Sequence, residues 1–107
     1  MKAPTAVREK LEILGSLYQQ GYQSDVIERT LDKLIDLERE RVEREYAELT
    51  ARLLSFEHQY GMPTEDFYRK FEAGELGDSV DFVEWSSMRD LRESLRNHLA
   101  WLTQGQP

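Results

Sequence analysis

The 107-residue sequence predicts an all-α fold: an elongated helical hairpin or bundle of about four helices around one long coiled-coil-like helix. Three observations carry that expectation. Apolar residues recur at three- and four-residue steps, strand-like alternation of apolar and polar residues is missing, and Gly and Pro are few, six and three. A chain this long suits one domain with a modest core, so a single helical domain over residues 1–107 is expected, divided into an N-terminal helix within 1–23, a long helix within 24–60 and C-terminal helices within 61–107.

The first helix fits Thr5 to about Gln20, where Val7, Leu11, Leu14, Leu17 and Tyr18 line one face and Gly21 is the stop. Ser24 is placed to cap the second, with Asp25 in its first turn, where the helix dipole favours negative charge. Its stripe runs through Ile27, Leu31, Leu34, Val42, Tyr46, Leu49, Leu53, Phe56 and Tyr60, and after Val42 the steps alternate four and three, the seam of a coiled coil or hairpin. Glu38 interrupts the seam as a stutter that can mark a bend. Unbroken, the helix would reach roughly 55 Å at the α-helical rise. Asp25 with Arg29, Glu40 with Arg44 and Glu48 with Arg52 are spaced to pair on its exposed side.

Gly61 and Pro63 end the long helix, and Thr64 is placed to cap a short one running to Ala73, closed by Gly74. Asp78 or Ser79 caps the last, with Asp81 completing a variant capping box and Phe82, Trp85, Met88, Leu91, Leu95, Leu99 and Leu102 forming its stripe. The terminal TQGQP reads as frayed. Tyr60, Phe67, Phe71, Phe82 and Trp85 are expected to form a core where the last helices pack on the long one.

Charge narrows the function. The formal net charge is −7, and residues 61–85 alone carry seven acids and two bases. Such a field repels phosphate backbones and steers basic partners, and no basic patch offsets it, so direct nucleic-acid binding is not expected. Zero cysteines exclude disulfides, thiolate chemistry and cysteine-based metal sites. No apolar run is long enough to span a bilayer and MKAPTAVREKLEIL lacks a secretory centre, so a cytoplasmic protein is expected.

Catalytic arrangements find little support in the residues. Glu65, Asp66, Asp78, Asp81 and Glu84 cap or open helices, where the dipole keeps carboxylates ionised rather than poised as acids. Asp78, Asp81 and Glu84 match no calcium loop, His58 and His98 are lone histidines, Ser86 and Ser87 read as helix surface, and AGELG lacks the Lys and Ser or Thr of a phosphate loop. No catalytic residue, metal or cofactor is assigned. Glu72 and Glu75, near a helix C-terminus, gain nothing from the dipole; with Tyr68 and Leu76 at the same turn they are the expected partner-binding residues.

The stretch YGMPTEDFYRKFEAGELGDSVDFVEW resembles a motif of small prokaryotic antitoxin-like proteins encoded beside toxin genes, through Tyr60, Gly61, Met62, Glu65, Phe67, Gly74, Glu75, Leu76, Gly77, Asp78, Asp81, Phe82, Glu84 and Trp85. QQGYQSDVIERTLDKLIDLERE is similar to the helix-turn-helix portion of ribbon-helix-helix antitoxins, which begin with a groove-reading strand; only MKAPT precedes the first helix here, and no DNA-contacting residue is carried over. The resemblance implies toxin binding and no chemistry; taken with the acidic surface, the expectation is a non-enzymatic antitoxin that binds and neutralises a small, basic cognate toxin through helical contacts, and a homo-oligomer is expected. The alternative is a self-associating coiled-coil adaptor whose seam from Val42 to Tyr60 pairs with a second copy.

Overall fold

A computed structural model describes residues 6–105. Among them the chain forms four α-helices and no strand: α1 Val7–Gln19, α2 Asp25–Tyr60, α3 Thr64–Glu72 and α4 Val80–Gln104. The all-α expectation holds. Where the sequence suggests one domain, the backbone groups into two compact units, Met1–Leu34 and Ile35–Pro107, with α2 beginning in the first and ending in the second. Thr5, the expected first helical residue, and the MKAPT segment lie outside the described residues.

The first unit is a two-helix hairpin with a well-defined turn. Gly21 adopts φ 89°, its N–H reaches the Tyr18 carbonyl, and the Tyr22 N–H reaches back to Leu17, the double closure that ends a helix through a left-handed glycine. The Tyr18 hydroxyl donates to the Ser24 carbonyl (3.2 Å) and accepts from the Ser24 N–H (3.1 Å), pinning the two sides of the turn. Ser24 Oγ accepts from the Ile27 N–H at 3.3 Å, the expected cap of α2. The apolar stripe forms only in part: Leu14, Leu17, Tyr18, Ile27 and Leu31 are half-buried, whereas Val7, Leu11 and Leu34, read as part of it, are exposed, and no described residue of this unit is fully buried.

The second unit contains the core. Val42, Leu49 and Leu53 of α2, Phe67 of α3, and Trp85, Met88 and Leu95 of α4 are buried, with Tyr46, Phe56, Tyr60, Met62, Phe71, Phe82, Leu99 and Leu102 packed around them. The alternating seam after Val42 is therefore covered by α3 and α4 of the same chain. Phe67 and Trp85, both 0% exposed, stack with centroids 3.8 Å apart and planes 3° from parallel; Trp85 also stacks on Phe56 at 5.4 Å, and Tyr60 meets Phe82 at 5.1 Å. Packing rings in this way removes a large apolar area per residue and adds roughly 0.5–1.5 kcal/mol per pair beyond the burial itself.

Several local expectations are corrected. At the Glu38 stutter α2 stays helical, and Glu38 is exposed and pairs with Arg41. Among the described residues the spaced pairs Asp25–Arg29, Glu40–Arg44 and Glu48–Arg52 do not form; Arg41 bridges Glu38 and Glu45, and Arg52 crosses to Glu84 of α4 at 3.0 Å. Leu91 is 44% exposed and leaves the α4 stripe, whereas Ser86, read as surface, is buried at 8% beside Trp85. Thr103 and Gln104 continue α4 to a left-handed Gly105 (φ 71°), so the fraying expected there is absent; Gln106 and Pro107 lie outside the described residues. Arg39 of α2 holds this end, donating through Nη2 to the Leu102 carbonyl at 2.8 Å.

Candidate functional site

The Tyr60–Trp85 stretch sorts its acids into those already partnered and those that are not. Expected as the cap of α3, Thr64 is instead buried at 2%, and its Oγ1 accepts the hydrogen bond of the Trp85 indole N–H at 3.1 Å. A buried indole needs an acceptor, and that need outranks capping. The open amide is met from the preceding helix, where Glu57 Oε2 accepts from the Thr64 N–H at 2.7 Å.

Glu65 accepts from Arg89 Nε (3.2 Å) and Nη2 (3.1 Å) in a two-pronged pair between α3 and α4, with Arg92 also within 3.7 Å. The Arg89 hydrogen bond holds the Glu65 carboxyl below the usual carboxylate range, and the same bond pushes the Arg89 guanidinium up. Asp66 pairs with Arg69 at 2.6 Å, and Glu84 with Arg52. Asp81 does not complete a capping box; its carboxylate accepts from the Tyr60 hydroxyl, which raises the phenol above its ordinary value. Ser79 resolves the Asp78-or-Ser79 choice by accepting from the Phe82 N–H at 3.3 Å.

Glu72, Glu75 and Asp78 remain. All three are exposed, and among the described residues none forms an ion pair or a side-chain hydrogen bond. Glu72 ends α3, and Glu75 and Asp78 lie on the link to α4, which turns at Gly74 (φ 75°) and Gly77 (φ 79°); the Gly74 N–H bonds to the Phe71 carbonyl and the Glu75 N–H to that of Lys70. Glu75 borders an open surface depression with Arg69 and Lys70.

Of the four residues expected to bind a partner, the structure therefore places two in solvent and two partly in the fold. Glu72 and Glu75 are exposed; Leu76 is half-buried and packs against the core. Tyr68 is half-buried, its ring 4.1 Å beneath the Arg89 guanidinium, and Asp90 beside its hydroxyl holds the phenol above the usual range. Asp78, given a capping role by its position before a helix, is left exposed because Ser79 fills that role. Among the described residues no group of three or more His, Asp or Glu could hold a metal ion, and no helix is long and apolar enough to cross a membrane.

No protein-family model, curated protein or solved structure matches the chain.

Proposed function

We propose that the chain is an antitoxin-like binding protein that captures a small basic protein, its cognate toxin, through the acidic link between α3 and α4, with no chemistry of its own. The observation that carries this reading is the contrast within one stretch. Glu65, Asp66, Asp81 and Glu84 have intramolecular partners, while Glu72 at the end of α3 and Glu75 and Asp78 on the turn that follows, which passes through two left-handed glycines, stand exposed. Exposed carboxylates on this link meet a basic partner without first giving up an internal ion pair.

Charge placement supports the same reading. Residues 35–107 carry nine bases and sixteen acids, so the whole net charge of −7 belongs to the second unit. A field of that sign accelerates encounter with a basic protein and opposes nucleic acid. The half-buried Tyr68 and Leu76 supply apolar edges beside the carboxylates, where a partner side chain can be desolvated.

The test is a calorimetric titration of the purified chain with a candidate small basic protein from an adjoining gene. Saturable binding is expected, and the triple variant Glu72→Gln, Glu75→Gln, Asp78→Asn should weaken it by at least about tenfold, roughly 1.4 kcal/mol. Equal affinity of the variant would remove these carboxylates from the interface.

A further inference from the structure

The first turns of α4 leave two branched apolar side chains in solvent. Val80 is 81% exposed and Val83, one turn on along the same face, is 47% exposed, while Ser79 Oγ fixes the start of the helix by accepting from the Phe82 N–H at 3.3 Å. Neither valine serves the core, which takes Phe82, Trp85 and Met88 from the same turns. Valine also gives little to the exposed side of a helix, because its branched Cβ loses rotamer freedom there without gaining burial. Leu76, on the link just before them, is half-buried and packs against the core.

Charge says what can cover the valines. Residues 71–88 carry five acids, Glu72, Glu75, Asp78, Asp81 and Glu84, and no base. Arg52 of α2 reaches Glu84 and the Tyr60 hydroxyl donates to Asp81, whereas Glu72, Glu75 and Asp78 have no ion pair among the described residues. A second copy of the chain would bring the same five acids to the contact, and a nucleic acid its phosphates, so both are opposed; lysine and arginine side chains are attracted. An apolar pair set among acids is the complement of an apolar side chain set among bases. On a helix that pattern is an apolar stripe at three- and four-residue steps between lysines or arginines, and its step matches the spacing of Val80 and Val83.

We infer that Val80 and Val83 are the apolar anchor of the partner-binding surface, and that they take the apolar stripe of a basic amphipathic helix whose lysines or arginines reach Glu75 and Asp78. The inference rests on the acidic-link reading and adds to it the contact that selects among basic proteins, since charge alone draws any of them.

Fluorescence anisotropy of the purified chain with two labelled peptides of identical lysine, leucine and alanine content, each of about 18 residues or five turns of helix, tests it. One peptide has its leucines at three- and four-residue steps; the other has them scattered around the helix. The chain should bind the striped peptide at least about tenfold more tightly than the scattered one. Val80→Thr combined with Val83→Thr keeps the branched shape, and should weaken the striped peptide by at least about fivefold while leaving the scattered one unchanged. The Glu72→Gln, Glu75→Gln, Asp78→Asn variant should weaken both. The near-ultraviolet signal of Trp85 reports whether each variant keeps the core. Full affinity of the valine variant for the striped peptide, or equal affinity of the wild type for the two peptides, overturns the inference, and the acidic-link reading then stands if the carboxylate variant is weakened. Undiminished binding by the carboxylate variant, or no binding of either peptide to the wild type, overturns that reading and the inference with it.

Discussion

At the scale of single residues, Thr64 decides how the aromatic core is satisfied. Its hydroxyl is the acceptor for the Trp85 indole N–H inside a stack that excludes water. Thr64→Val keeps the shape and removes the acceptor, so urea unfolding should show a loss of about 1–3 kcal/mol, while Thr64→Ser should retain most of the stability. Glu65 gives a second, pH-dependent signature. Because Arg89 lowers its folded pKa, its contribution is present above the ordinary glutamate range, near pH 4.3, and is lost as pH falls through the lower folded value. The stability gap between wild type and Glu65→Gln should therefore narrow on acidification; being 58% exposed, the pair is screened by solvent and the gap is small. A gap unchanged by acid would show that Glu65 acts through packing. Trp85 and Phe67 were legible as core from their rings and spacing. The exchange of roles between Thr64 and Glu57 was not, because it depends on which buried donor comes within reach after folding.

Elements were read more reliably than their partners. The helix spans follow from periodicity and from glycines at the ends, and the long α2 follows from a stripe with no breaker between Ser24 and Tyr60. The ion pairs were misassigned because helical spacing alone ignores cross-helix options such as Arg52 with Glu84, available only once α4 has docked. The same applies to Leu91 and Ser86, whose exposures depend on the rotation of α4 against α2 and α3 rather than on the period of its sequence. The α3–α4 link makes a sharper prediction. Gly74 sits at φ 75° with open space where a Cβ would project, so Gly74→Ala meets only backbone strain and should cost about 1–2 kcal/mol in thermal or chemical unfolding. Gly74→Asn should cost less, since asparagine tolerates that conformation. If the alanine variant were as stable as wild type, the link would have another conformation open to it.

For the molecule as a whole, the sequence revealed an acidic helical protein but not how its charge divides. The −7 belongs wholly to the unit with the packed core, and the neutral unit carries an apolar groove lined by residues of α1 and α2. That division is visible only once the backbone shows where the units part, because the long α2 hides the boundary in a continuous helical pattern. The central proposal is that the uncommitted carboxylates of the link engage a basic protein, and its most direct measurement is the affinity of the chain for a candidate small basic protein from an adjoining gene as salt is raised. Wild type should weaken steeply with salt, and the Glu72→Gln, Glu75→Gln, Asp78→Asn variant should start weaker and respond less. Parallel salt responses, or no binding in either, would contradict it.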